Sequence, residues 1–156
     1  MPNHPYIITD GFADPGDLLE GKGPLIKIEV APPQSLRDFL IEHNRVPTSV
    51  KGWGVIDTGS STTCVNKSTL ITIGGNPIGT KPVSTPGSQN IELDIYPAKI
   101  TFPGIALVRD FDEALAMVDL KVEHEGFPII AFIGREVLSK CKFIYNGRTG
   151  EYHLEY

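Results

Sequence analysis

The residues best suited to chemistry form a seven-residue string, Val55–Ser61, in which an apolar stretch runs into Asp57, Thr58 and Gly59. A carboxylate at the end of a buried strand is costly unless hydrogen bonds or solvent stabilise its charge. The small and hydroxyl-bearing residues after Asp57 could supply those bonds. The motif also has a simpler interpretation, because Asp and Gly are common in turns and Thr58 could bond only to the backbone there.

Other catalytic chemistries lack the residues that they need. The sequence contains no phosphate-cradling Gly-Lys motif, no Gly-x-Gly-x-x-Gly after a strand and no Gly-x-Ser-x-Gly nucleophile turn. The four histidines share no metal-ligand spacing. We therefore expect neither a metal nor a cofactor.

Length and composition favour one globular domain. The chain has 156 residues, of which 40% are hydrophobic and 21% charged, and its 16 Gly and 13 Pro favour short strands over long helices. The net charge of −5 argues against a nucleic-acid partner, and no apolar stretch reaches membrane-span length. Without a recognisable secretion signal we expect a cytoplasmic protein. Its two cysteines, Cys64 and Cys141, would be reduced and buried, with a disulfide as the alternative.

Hydrophobic periodicity predicts an all-β domain over residues 24–156, preceded by an irregular N-terminal arm at residues 1–23. The predicted strands are Leu25–Val30, Gly54–Ile56, Cys64–Val65, Ile91–Phe102, Leu115–Val122, Phe127–Ile133, and a terminal hairpin of Phe143–Tyr145 with Tyr152–Leu154. The predicted short helices are Ser35–His43 and Arg135–Lys140, with Asn66–Ile73 as a helix or a turn. A Pro-Gly turn predicts a hairpin tip at Val83–Gln89.

A second block, Ala131–Leu138, places two apolar residues before Gly134 and Arg135 and continues into a short helix. The strings VIDTGSSTTCV and FIGREVL, in this order and with the hairpin between them, resemble the retropepsin-like aspartic proteases, the family of the retroviral proteases and their cellular and bacterial relatives. The resemblance covers about residues 24–156. It implies a single-lobe acid-protease fold, a closed or partly open barrel with a flap hairpin and one or two short helices.

The resemblance also implies a role for each residue around the Asp. Asp57 would be the catalytic carboxylate, and Thr58 would form a hydrogen bond across two subunits. Gly59 would let the substrate backbone approach, and Ser60 would hydrogen-bond the outer carboxylate oxygen of Asp57. Gly134 would let the second strand pass closely behind the catalytic loop.

The flap of this family would correspond to the hairpin tip. Its residues, which would close over an extended substrate, are Ser84, Thr85, Pro86, Gly87 and Ser88. Four apolar side chains could line substrate pockets or simply belong to the core: Ile56, Val83, Ile91 and Ile133.

The sequence departs from the family at Arg135. Retroviral members pair this arginine with an acidic residue soon after the Asp-Thr-Gly turn, whereas here Ser60–Thr63 carries no carboxylate. Arg135 must bind elsewhere, either to Glu136 of a neighbour or to a backbone carbonyl. The role of the terminal hairpin also has two alternatives, because the hairpin could pack on a partner or close its own sheet.

Hydrolysis of a peptide by carboxylates needs two of them, one ionised and one protonated. The chain has one Asp-Thr-Gly, so the resemblance implies a homodimeric aspartic endopeptidase in which Asp57 of each subunit meets at a two-fold axis. The expected partners are a second copy and a peptide or protein substrate. The alternatives are a non-catalytic peptide-binding or dimerisation module on the same fold, and an all-β domain in which Asp57 only makes a turn.

Overall fold

The computed structural model describes residues 6–9, 11 and 13–156, which are mostly β-structure. The strands are β1 (Tyr6–Ile7), β2 (Leu25–Ala31), β3 (Val50–Ile56), β4 (Cys64–Asn66), β5 (Gly79–Thr85), β6 (Ser88–Phe102), β7 (Leu107–Met117), β8 (Glu123–His124), β9 (Phe127–Ile133), β10 (Lys142–Asn146) and β11 (Glu151–Glu155). The helices are α1 (Pro15–Lys22), α2 (Gln34–Glu42), α3 (Lys67–Thr72) and α4 (Arg135–Leu138).

Six strands close into a barrel. They follow the order β2-β3-β9-β4-β7-β6, and β2 pairs with β6 as well as with β3, which completes the ring. Side chains that alternate along the strands fill its interior, as Ile26, Ile28 and Val30 of β2 do. The prediction of an all-β closed barrel with few short helices is confirmed.

The strand order fixes where the Asp57 loop must lie. Strand β9 sits between β3 and β4, parallel to β3 and antiparallel to β4. Because β3 and β4 follow each other in the chain, the loop that joins them, residues 57–63, has to cross over the end of β9. That end is Ile133, followed directly by Gly134. The two sequence blocks are therefore stacked by topology.

The Pro-Gly turn makes the predicted hairpin. Strands β5 and β6 pair from Gly79 with Ile95 out to Thr85 with Ser88, so Pro86 and Gly87 form a two-residue connection. Strand β5 lies at the end of the sheet and has one unpaired edge among the described residues. The hairpin extends beyond the barrel that β6 helps to close.

The strand predicted at Leu115–Val122 is placed differently. Strand β7 runs from Leu107 to Met117 and pairs with β6 along most of its length, with a register shift between Tyr96 and Ala98. Charged residues on its outer face obscure the alternation of apolar and polar residues in the sequence, while Leu107 and Phe111 point inward and are buried. Other strand predictions fared better: β9 has the predicted bounds, and β2 extends one residue further than predicted.

Part of the segment that its Gly and Pro residues predict to be an irregular arm, Pro15–Lys22, forms a helix. Helix α1 begins with Pro15, its N-cap Asp14 accepts a hydrogen bond from Gly16 N–H at 2.8 Å, and its Leu18 and Leu19 are buried. The cap and the proline stabilise the first turn, and the two leucines join the core. With α1, the described chain has four helices rather than one or two. Residues 1–5, 10 and 12, which belong to the same predicted arm, lie outside the described residues.

The predicted terminal hairpin forms and closes a sheet within its own chain. Strand β11 pairs with β10 on one side and with β1 on the other. Tyr152 of β11 stacks on Tyr6, and its hydroxyl donates to the carbonyl of Leu25 at the start of β2. This bond joins the small sheet to the barrel. Among the described residues, no helix is long and apolar enough to cross a bilayer.

Candidate active site

Asp57 follows the last residue of β3 and begins the loop that crosses β9. The strand ends inside the barrel, with Ile56 buried, while Asp57 itself is half-buried and Thr58 and Gly59 are exposed. The amide of Gly59 donates to Asp57 Oδ1 at 2.9 Å. Asp57 therefore stands at the border between core and solvent, with one carboxylate oxygen held by the tip of its own turn.

Backbone hydrogen bonds fasten the Asp57 loop to the end of β9 and the start of α4. They join Asp57 N to Ile133 O at 3.0 Å, Arg135 N to Ser60 O at 2.8 Å, and Glu136 N to Ser61 O at 3.3 Å. Each bond satisfies a backbone group that would otherwise have no partner where a strand ends or a helix begins. The loop is thereby tied at its start and in its middle.

Two side chains complete this attachment, and sequence reasoning missed both. Thr63 is fully buried, and its Oγ1 accepts from Gly134 N–H at 3.0 Å. The carboxylate of Glu136 accepts from Thr63 N–H at 2.5 Å. A signal was available, since Glu136 is the acidic residue beside Arg135 and Thr63 is the last hydroxyl before the apolar strand β4.

Arg135 binds the loop directly. Its Nη1 donates to the carbonyl of Thr58 at 2.8 Å, so the backbone carbonyl is its partner within the chain. A guanidinium on that carbonyl holds the exposed part of the turn from outside, because a charged donor makes a strong hydrogen bond. The absence of an acidic residue in Ser60–Thr63 is thus no obstacle to binding Arg135.

Gly134 allows the close contact between the two segments. A Cβ on Gly134 would lie 2.6 Å from the carbonyl carbon of Thr62 and 2.7 Å from its oxygen. Its φ of −84° is open to any residue, so close approach of two backbones, rather than an unusual conformation, requires glycine here.

Ser60 does not make the bond that the resemblance implied. Its Oγ donates to the carbonyl of Thr62 at 2.6 Å, an acceptor within the same loop. Within this chain the contact of Ser60 is structural, because a hydroxyl has one proton to donate.

The surroundings of the loop carry negative charge. Burial raises the pKa of the Cys64 thiol, and the Glu136 and Asp57 carboxylates raise that pKa further. Cys64 and Cys141 are both free thiols and both half-buried, so they are less buried than expected. A thiol with a raised pKa stays protonated and is a poor nucleophile.

The predicted flap residues form the tip of the β5–β6 hairpin. All five, from Ser84 to Ser88, are exposed, and Thr85 Oγ1 bonds within the turn, to Ser88 O at 3.4 Å. Of the apolar residues that could line pockets or fill the core, Ile56 and Ile133 are core, while Val83 and Ile91 form a partly exposed pair across the hairpin. The structure therefore brings Asp57 together with Gly134 and Arg135, and it leaves the hairpin tip free in solvent.

Within residues 6–9, 11 and 13–156, no group of three or more His, Cys, Asp or Glu side chains is placed to hold a metal ion. The chemistry that the described loop can offer is that of a fixed carboxylate with backbone amides around it.

Comparison with known proteins yields one structural likeness. No protein-family model matches the chain, and no curated protein matches it. Among solved structures, it is similar to the crystal structure of a retropepsin-like aspartic protease from Rickettsia conorii, with 16% identity, coverage of 84% of this chain and 91% of that chain, and a TM-score of 0.45. At that distance the function has to be argued from the site itself.

Proposed function

We propose that this chain is an aspartic endopeptidase that works as a homodimer, hydrolysing peptide bonds in extended substrates. The observation that carries the proposal is the fastening of the Asp57 loop. These bonds limit the movement of the loop that carries Asp57, and a catalytic carboxylate must be held in position while charge develops around it. The attachment uses Ile133, Gly134, Arg135 and Glu136, the block whose sequence resembles that of the retropepsin-like proteases.

The dimer follows from the number of carboxylates. One chain supplies a single Asp-Thr-Gly, and the mechanism needs an ionised and a protonated carboxylate side by side. Two copies related by a two-fold axis would place Asp57 next to Asp57 of the partner subunit, where the pair shares one proton because both cannot easily be ionised at short range. The exposed Thr58 and Gly59 leave the turn open to a partner copy.

In the proposed reaction, the ionised Asp57 takes a proton from a water molecule, which attacks the scissile carbonyl carbon. The protonated Asp57 of the other subunit donates its proton to the carbonyl oxygen, and a tetrahedral diol forms. Its collapse breaks the C–N bond as the carboxyl group that took the proton from water gives it to the amine nitrogen, while a diol hydroxyl returns its proton to the other carboxylate. Gly59 would give the substrate backbone room to approach, and Thr58 would join the two turns.

The hairpin β5–β6 would serve as the flap. An extended peptide could lie between its tip, Ser84–Ser88, and the Asp57 loop, pairing with exposed backbone as an added strand. Closure of the tip would exclude water from the reacting bond.

Substituting Asp57→Asn tests the chemistry. We expect cleavage of a diverse pool of unfolded peptides between about pH 3 and pH 7 to fall by at least about 1,000-fold, with an unchanged sedimentation coefficient and melting temperature. Full activity in this variant would refute the proposal. Peptide binding by the wild-type protein without any cleavage would instead support the non-catalytic module.

Mixing the two proteins tests the shared site. If each active site needs Asp57 from both copies, a threefold excess of Asp57→Asn chains that exchange freely should lower wild-type activity to about a quarter, because few wild-type pairs remain. Activity that does not change on mixing, with exchange verified by a tagged chain, would show that one chain works alone.

A further inference from the structure

A second candidate site lies on the outer face of the barrel, near the start of β3. The cavity there is about 440 Å³, and its lining includes Lys27, Glu29, Lys51, Trp53, Pro103 and Phe127. Its size falls within the range of small-molecule pockets, about 300–1,000 Å³. Asp57 follows the other end of the same strand, about 13 Å from Trp53 at roughly 3.3 Å per residue, so the cavity is separate from the proposed active site.

The cavity combines an aromatic wall with cationic groups. Phe127 begins β9 and is 50% exposed, whereas Trp53 is 7% exposed and covers the floor. The indole Nε1–H of Trp53 donates to the carbonyl of His124 at 2.8 Å, which fixes the orientation of the ring. The wall is therefore rigid on the Trp53 side and open on the Phe127 side.

The two lysines come from neighbouring strands. Lys27 lies opposite Trp53 in the β2–β3 register, and its Nζ is 5.5 Å from the centre of the indole ring. Lys51 lies opposite Glu29, whose carboxylate accepts a hydrogen bond from Ser49 Oγ at 2.5 Å. Within the part of the chain that the structure describes, neither lysine forms a salt bridge. The cavity thus offers two cations and one carboxylate that already has a hydrogen bond.

We propose that this cavity binds a small aromatic carboxylate. The ring would pack against Phe127 and Pro103, and the carboxylate would lie between the ammonium groups of Lys27 and Lys51. Charge complementarity decides the class of ligand, because two ammonium groups against the single carboxylate of Glu29 leave the cavity with a net positive charge, which favours an anion over an aromatic cation or a neutral ring. The aromatic wall decides in favour of a ring over an aliphatic chain.

The lone tryptophan of the chain is Trp53, so its fluorescence and its single indole N–H resonance report on this cavity alone. Phenylacetate is a suitable probe, with phenylacetamide as the uncharged match and cyclohexylacetate as the non-aromatic match. We expect saturable changes in both signals with phenylacetate. Binding should be at least about tenfold weaker with phenylacetamide, a loss of about 1.4 kcal/mol, and measurably weaker with cyclohexylacetate.

Variants of the full chain locate the ligand. Lys27→Gln and Lys51→Gln should each weaken phenylacetate binding about tenfold, and Phe127→Ala about fivefold. Lys140→Gln, a change at an exposed lysine beyond α4, should leave binding unchanged. Equal binding of phenylacetate and phenylacetamide, equal binding to the Lys27→Gln and Lys140→Gln proteins, or no saturable change with any probe would overturn the proposal. Cleavage by Lys27→Gln should match the wild type, so failure here is distinguishable from failure of the protease proposal.

Discussion

The Asp57 loop and the tip of the β5–β6 hairpin are both connections between strands, yet the chain treats them in opposite ways. Residues 57–63 cross the end of β9 and are bonded to its last residue, to Gly134 and to the start of α4 through backbone, hydroxyl, carboxylate and guanidinium groups. Residues 84–88 stand in solvent, and their side-chain bond, from Thr85 to Ser88, stays within the turn.

This difference matches what peptide hydrolysis would require of each region. A carboxylate that activates water has to stay within a fraction of an ångström of its place, whereas a segment that admits a substrate has to move. Few buried contacts and exposed backbone bonds are the features of segments that open easily. Matched substitutions in the two regions can therefore separate a rigid site from a mobile cover.

The largest expected effect comes from glycine to alanine changes. Gly134→Ala would press a methyl group into the backbone of Thr62 at 2.6 Å, so we expect a loss of about 3 kcal/mol in the free energy of unfolding. Gly87→Ala meets no atom within 4 Å and should stay within about 0.5 kcal/mol of the wild type. Urea unfolding followed by Trp53 fluorescence measures both. Equal stability of the two variants would mean that the loop can shift away from β9, contrary to a rigid site.

The next effect concerns a single hydroxyl group. Thr63→Val keeps the shape of a fully buried side chain but removes the acceptor for Gly134 N–H, which should cost about 1–3 kcal/mol. Thr85→Val, the same change at the exposed hairpin tip, should cost less than about 0.5 kcal/mol. Hydrogen exchange at the Gly134 amide gives a direct check, since protection should fall in the Thr63 variant only. Unchanged protection there would show that water replaces the hydroxyl.

The sequence predicts much of this site because its two blocks are short and local. Asp57 and Gly134 come together because the apolar run Phe127–Ile133 lies between β3 and β4, the strands on either side of the loop. The sequence predicts that run as a strand. The direction of the Ser60 hydroxyl was not predictable. It depends on which acceptor the folded loop offers at short range, and the nearest is the Thr62 carbonyl.

Helix α1 shows a different limit of sequence reasoning. Pro15, Gly16 and Gly21 look like helix breakers, whereas Asp14 followed by a proline is a good helix start. The decision between these signals comes from tertiary packing, because burial of Leu18 and Leu19 stabilises a helix that is marginal by itself. Strand β7 shows the same limit, because the charged residues on its outer face obscure the strand pattern in the sequence although their backbone pairs with β6.

A smaller effect, on catalysis alone, is expected at the hairpin. Val83 and Ile91 face each other across β5 and β6 and are partly exposed. Replacing both with Ser should lower kcat/KM for an extended peptide about tenfold, or about 1.4 kcal/mol, if the tip closes over the substrate. The melting temperature should hardly change. Val108→Ser on β7, another exposed valine, is the control, and an equal loss of activity there would remove the hairpin from the proposed mechanism.

The smallest effect lies at Asp119, outside both regions. Asp119 Oδ1 accepts from Ser68 N–H at 3.0 Å, and this bond is the main reason that its pKa lies below the ordinary value. A lowered pKa in the folded state stabilises the fold in full above the ordinary value of about 4 and loses that contribution as pH falls.

Asp119→Asn should therefore lower the melting temperature by about 1–2 °C at pH 7, because the carboxylate is exposed and screened. Wild type and variant should converge as the pH falls through the lowered pKa of Asp119, while Asp112→Asn, at an exposed carboxylate on β7, should follow the wild type throughout. A difference that persists in acid, where the wild-type carboxyl group is neutral, would mean that the effect of the substitution does not come from the charge.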